Sequence, residues 1–206
     1  MFTLYYQPFA CSFAIHAALE KIGEPFTLHK INLQKGEQQS EDFLALNPQG
    51  QVPVLQHAEH TLTQAGAILL HLSEQFPAAQ LLPEISSPAR QQALQSLFFL
   101  SSSVHPVFSR AFFPKPISKA LPKELKTLAL EKVNVFLGEF NQLFSTQDYC
   151  AGQSAYAPDY YLFSLLNWLR LLQVSVNEFV HLKGFIARMK TQPEVQRTLH
   201  TEMKNM

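Results

Sequence analysis

The stretch Tyr5-Tyr6-Gln7-Pro8-Phe9-Ala10-Cys11-Ser12 gathers two phenols, a thiol and a hydroxyl close together. A thiol where a helix begins faces unpaired backbone N–H groups and the positive end of the macrodipole, which favours its thiolate. The same setting suits a thiolate brought in by a ligand. A hydroxyl or thiol beside that sulfur would donate a hydrogen bond and lower its pKa, each unit being worth about 1.4 kcal/mol. A plainer role stands against these, in which Cys11 is a small buried side chain packing the loop. His105 is a lone histidine within a helical pattern, with catalytic and structural roles both open. His57 and His60 flank a turn, but two histidines with Glu59 make a poor metal site and read as solvated turn residues.

Several common site types are absent. The chain has no Gly-rich phosphate loop, no His-Glu-x-x-His, no Cys-x-x-Cys and no Gly-x-Ser-x-Gly. Without a second cysteine near Cys11, an intramolecular disulfide cycle is not available. Sixteen basic and sixteen acidic residues cancel, which argues against nucleic acid or an anionic membrane as partner. The two cysteines, Cys11 and Cys150, form no disulfide framework, so a reducing, cytoplasmic setting is expected. The N-terminus has no signal-peptide pattern. The most apolar stretch, Tyr160 to Leu172, is interrupted by Asn167 and Arg170 and is too short to span a bilayer. With 206 residues and 47% hydrophobic content, the chain has ample material for a packed core in one large domain or two small ones.

The elements that would hold Cys11 are legible on either side of it. Phe2 to Tyr6 suits a strand. Ile15, Ala18/Leu19 and Ile22 form a helical stripe ended by Gly23 and Pro25. Phe26 to Leu33 predicts a second strand, and Phe43 to Leu46 one or two helical turns. Asn47-Pro48-Gln49-Gly50 is a turn by its residue types. Val52 to Leu55 predicts a strand whose Pro53 sits at a start or an edge; an open edge there would let Val52 pair with an extended peptide. Thr61 to Thr63 would pair back as a hairpin. From Gln64 the pattern turns helical, with Ala67/Ile68, Leu72 and Phe76 sharing a face. After Pro77 the strand signals vanish. Ser87-Pro88 caps a helix running toward Phe113, in which Pro106 predicts a kink or break. Further helices follow Pro122 (Leu125, Leu128/Ala129, Val133, Phe136/Leu137 and Phe140 inward), Pro158-Asp159 (apolar nearly all round to Leu172) and Asn177. Thr191 to Glu194 has capping-box spacing before a last short helix.

Taken together these features resemble a cytosolic glutathione transferase, most similar to the bacterial beta class. The resemblance rests on Ala10-Cys11-Ser12, Asn47-Pro48-Gln49-Gly50-Gln51-Val52-Pro53-Val54-Leu55 and Leu62-Thr63-Gln64-Ala65-Gly66-Ala67-Ile68. It continues in Gln80-Leu81-Leu82, Val104-His105, Ala157-Pro158-Asp159-Tyr160-Tyr161-Leu162-Phe163 and Pro193-Glu194-Val195-Gln196. It implies an α/β thioredoxin-like N-terminal domain over residues 1–77, a linker over 78–87, an all-α C-terminal helical domain over 88–206, and a homodimer. By that resemblance Cys11 lies next to the glutathione sulfur, and Val52, before the family's cis-proline at Pro53, pairs with the cysteinyl backbone. Gln64 and Ala65 stand at the γ-glutamyl end, Lys35 is near a basic position for the glycyl carboxylate, and His105 faces the substrate cleft.

The departures bear on affinity. Ala65 replaces the family's usual serine, Phe98 stands where an asparagine is usual, and Pro106 where a lysine is common. Tyr156 occupies the place of the usual Ser/Thr cap, so Ser154 is expected to substitute. The expected activity is attack of the glutathione thiolate on a small electrophile. Phe108, Phe112 and Phe113 would suit an apolar or aromatic one, or else belong to the core. Cys11 would stabilise that thiolate or form a mixed disulfide with it, and no metal is expected. The alternative is a non-catalytic binding protein on the same scaffold.

Overall fold

The computed structural model describes residues 1–113 and 122–206. The N-terminal part is a four-stranded mixed sheet with helices against it. Its strands are β1 (Phe2–Tyr6), β2 (Phe26–Lys30), β3 (Val54–His57) and β4 (His60–Thr63), in the order β2-β1-β3-β4. β2 lies parallel to β1, while β3 is antiparallel to both β1 and β4. The β1–β2 crossover carries α1 (Phe13–Ile22), as a parallel pair requires. Gly23 ends α1 in the left-handed region, with φ 79° and its N–H on the Leu19 carbonyl. A short α2 (Glu41–Leu46) is capped by the Ser40 hydroxyl, and α3 (Ala65–Gln75) follows the hairpin.

Two strand expectations change. β2 stops at Lys30 rather than Leu33. β3 begins at Val54 and is paired on both sides, so Pro53 lies before the strand and not on an open edge. The Val52–Pro53 peptide bond is cis. Ala67 is exposed, and α3 instead buries Ala65, Ile68, Leu69 and Leu72.

The remainder is helical. α4 (Pro88–Phe99) leads through a π-helical turn (Leu100–Val104) into α5 (His105–Phe112). Pro106 therefore bends the backbone into a π turn, in which the His105 N–H reaches the Leu100 carbonyl, and the chain continues as helix. Next come α6 (Pro122–Leu143), α7 (Ala157–Leu166), α8 (Leu169–Leu172), α9 (Val180–Thr191) and α10 (Pro193–Lys204). On α6, Ala129, Val133, Phe136, Leu137 and Phe140 face inward, but Leu128 is 60% exposed. Every residue of α7 is buried, in agreement with its all-round apolar pattern, although this helix ends at Leu166 and not Leu172.

Two expected caps are replaced. Ser154 does not cap α7; the Asp159 carboxyl group reaches back to accept the N–H groups of Tyr156 and Cys150 at 2.9 and 2.7 Å. Thr191 does not cap α10, because α9 runs through it and its hydroxyl donates to the Arg188 carbonyl. No helix among the described residues is long and apolar enough to cross a membrane.

One buried cluster runs from β1 and α1 through α7 to α9, so both halves share a core. The central residues of α1, Phe13 to Leu19, are all buried, and burial of each of its large apolar side chains is worth about 1.5–3 kcal/mol. The segment expected as a linker is itself anchored. Leu81 and Leu82 are buried, and the Leu81 carbonyl accepts the Ala157 N–H at 2.7 Å.

Candidate active site

The end of β1, the start of α1, the cis-proline loop and the start of α3 meet the π turn, α5 and α7 across a cleft. The cleft is lined by Cys11, Val52, Pro53, Gln64, Ala65, His105 and Tyr161, with Asn47, Gln51 and Ser101. Six of the seven residues expected at the site therefore converge. Lys35 is the exception and stands on an exposed loop outside the lining. Gln39, beyond that loop, packs close to Gly50, next to Gln51 of the lining. Gly50 has φ 61°, a left-handed conformation that favours glycine, and a Cβ there would lie 3.1 Å from the Gln38 carbonyl oxygen.

Cys11 precedes Ser12, the N-cap of α1, but its thiol is not a thiolate. It is 6% exposed and its Sγ lies 3.6 Å from the Val52 carbonyl oxygen, to which it donates. Burial pushes its pKa up to about 12, outweighing the hydrogen bonds from the backbone N–H groups of Cys11 and Ser12. Of the two readings left open for Cys11, burial therefore outweighs the pull of the helix start. At pH 7.5, iodoacetamide should modify Cys11 at least about a hundredfold more slowly than an exposed cysteine, with a rate still rising above pH 10. A plateau near pH 8, followed by mass spectrometry of the Cys11 peptide, would contradict this.

Three other candidates lie elsewhere. Tyr6 is in the core, and its hydroxyl accepts from the Asn205 amide. The Tyr5 hydroxyl donates to Gln56, and the Ser12 hydroxyl donates to the Gln7 carbonyl, tying the loop ahead of Cys11. Phe108 is core, packed against Trp168, while Phe112 is half-buried against the same indole and Phe113 is exposed. His57 and His60 pair across the hairpin and are exposed. Phe98 is also exposed and does not line the cleft. Among the described residues, no group of three or more His, Cys, Asp or Glu side chains is arranged to hold a metal ion.

Beside His105 the helical half supplies two groups the sequence reading passed over, Tyr161 and Trp168. His105 Nδ1 is 2.7 Å from the Tyr161 hydroxyl, and its ring packs edge-on against Trp168. Burial lowers the His105 pKa to about 4 and raises that of Tyr161, so both are neutral at pH 7. Trp168 Nε1 also donates to the Phe9 carbonyl at 2.7 Å, while the Phe9 N–H donates to Glu202 Oε2 at 2.6 Å. Both polar backbone atoms of Phe9 are thus held from the helical half. Phe9 has φ 59°, a conformation unfavourable by about 1 kcal/mol for a residue with a side chain. A signal for Tyr161 did exist in the sequence: a hydroxyl inside an all-round apolar helix must find a partner.

The four-stranded sheet with its cis-proline loop defines a thioredoxin-like domain, here joined to a helical domain with a thiol in the cleft between them. The chain belongs to the glutathione S-transferase family. The family's N-terminal domain model matches residues 1–74 and its C-terminal domain model residues 100–193. The chain is 32% identical to the glutathione S-transferase GstA of Escherichia coli O157:H7 over 97% of its own length and 98% of that protein. Among solved structures it resembles a sphingomonad glutathione S-transferase complexed with glutathione, with TM-score 0.87, 32% identity and 98% of each chain covered. It also resembles a bacterial beta class glutathione S-transferase of Sphingomonas chungbukensis, with TM-score 0.85, 31% identity and coverage of 97% of this chain and 98% of that one.

Proposed function

We propose that the cleft binds glutathione and directs its thiolate at a small apolar or aromatic electrophile. The observation that carries this is the convergence of the Cys11 thiol, the Val52-Pro53 backbone, the start of α3 and His105 on one cavity. Among the described residues the Val52 N–H has no partner within the chain, which leaves it to an extended peptide. The γ-glutamyl carboxylate would meet Gln64, Ala65 and the open N–H groups of α3. The glycyl carboxylate would lie toward Gln51, with Lys35 on the adjoining loop supplying charge. A protonated Cys11 favours one of its two roles: its S–H turns from the Val52 carbonyl to donate to the ligand thiolate, and no mixed disulfide is needed. Phe112 and Phe113 are the aromatic surface left for the electrophile.

In this reading residues 1–77 form the glutathione-holding domain and 88–206 the helical domain. The assembly is a cytoplasmic homodimer, with exposed Phe98 on α4 and Leu128 and Val135 on α6 as apolar surface for it. The test is retention on immobilised glutathione with competitive elution, together with conjugation of a nitro-substituted aryl halide. Failure of the folded protein to bind would overturn the proposal. Ala65→Ser would restore a hydroxyl donor to the γ-glutamyl carboxylate, and a hydrogen bond to a charged group is worth about 1.5 kcal/mol. By calorimetry the Kd for glutathione should therefore fall about tenfold.

A further inference from the structure

The Tyr161–His105 contact deepens the reading just given and rests on it for its functional meaning. The Tyr161 hydroxyl is buried, and its one hydrogen bond among the described residues is to His105 Nδ1. Two arrangements satisfy that distance. If Nδ1 carried the proton, the phenol O–H would need a second acceptor, and among the described residues its one hydrogen-bond partner is His105 itself. If the phenol donates, one bond satisfies the buried O–H and uses imidazole nitrogen, a far better acceptor than a phenol oxygen. The second arrangement leaves nothing unpaired. Trp168 packs edge-on against the same ring.

We propose that Tyr161 is a positioning residue that donates its O–H to His105 Nδ1, locking the proton onto Nε2. His105 then presents an N–H to the cleft and no basic lone pair. With Nδ1 occupied, Nε2 is the only polar atom the ring has left for a ligand. The imidazole therefore acts as a second hydrogen-bond donor beside the Cys11 thiol. It stabilises negative charge on the ligand sulfur or on the electrophile, and it does not serve as the base that removes the glutathione proton.

The test is NMR of the ligand-free protein with 15N- and 13C-labelled histidine, the His105 signals being assigned with His105→Asn. The expected result is the tautomer protonated on Nε2, with Nδ1 shifted as a hydrogen-bonded acceptor. In Tyr161→Phe the Nδ1 acceptor shift should disappear and the two tautomers should mix. In the same variant kcat for conjugation should fall at least tenfold with KM for glutathione within about twofold of wild type. A wild-type His105 protonated on Nδ1, or signals unchanged by Tyr161→Phe, would overturn the proposal. Should that variant fail to fold, the wild-type tautomer decides alone. Failure of the wild type to bind glutathione would instead sink the reading in the preceding section, since the tautomer is read without ligand.

Discussion

Glu202→Ala is expected to destabilise the protein by about 3–5 kcal/mol, seen as a drop in Tm of about 10 °C. Glu202 is fully buried on α10, and both its oxygens are engaged. One accepts the Phe9 N–H at 2.6 Å, and the other lies 2.9 Å from Nδ1 of His16, also fully buried. His16 Nε2 already has no hydrogen-bond partner, so the substitution would leave that ring with none. A buried donor stripped of its acceptor costs about 1–3 kcal/mol, and here two are stripped at once. Glu202→Gln separates geometry from mere removal. Its amide oxygen can still accept the Phe9 N–H, so this variant should lose less than half as much. The effect should also reach the cleft. Phe9 holds its left-handed backbone only while gripped from both sides, and Cys11 is two residues away. Once the Phe9 N–H is released, the loop should relax and Cys11 should alkylate faster in Glu202→Ala, below the melting transition, than in wild type. A variant that lost stability without any change in Cys11 reactivity would break the link between α10 and the site.

That grip was not legible in the sequence, and the reason is distance along the chain. Phe9 lies 159 residues from Trp168 and 193 from Glu202, and no local pattern announces such a pairing. What was legible had a short period or a stereochemical cause. The strand at Phe2 to Tyr6, the stripe of α1 closed by Gly23, the all-round apolar character of α7 as far as Leu166 and the turn at Asn47 to Gly50 stand as read. Cys11 and Val52-Pro53 were legible because they lie at element ends, whereas Gln64 and Ala65 were named only through the family resemblance. Tyr161 was passed over because its partner comes from another helix. The protonation of Cys11 was left open for a related reason. A helix start is visible locally, whereas the burial that outweighs it comes from the Val52 loop and the helical half. The same competition settles the caps: Thr191 has the spacing of a capping box, but continuation of α9 takes its hydroxyl first.

Asp159→Ala should be of similar size, about 3–5 kcal/mol, because it leaves the buried N–H groups of Cys150 and Tyr156 without an acceptor at the start of the most buried helix. The pH dependence distinguishes this from a simple packing defect. Burial pushes the Asp159 pKa up from 3.8 to about 6, against the pull of its hydrogen bonds and of Lys21. The folded state therefore binds this proton more tightly than the unfolded chain. The group's stabilising contribution is complete below pH 3.8 and is lost as pH rises through 6. Asp159→Asn keeps one acceptor oxygen and removes the titration. Compared by urea denaturation at pH 7 and pH 4, the stability difference between wild type and Asp159→Asn should shift toward wild type at the lower pH, by up to about 3 kcal/mol. A difference independent of pH would mean that Asp159 titrates alike in the folded and unfolded chain, its two N–H bonds and Lys21 offsetting the cost of burying the charge.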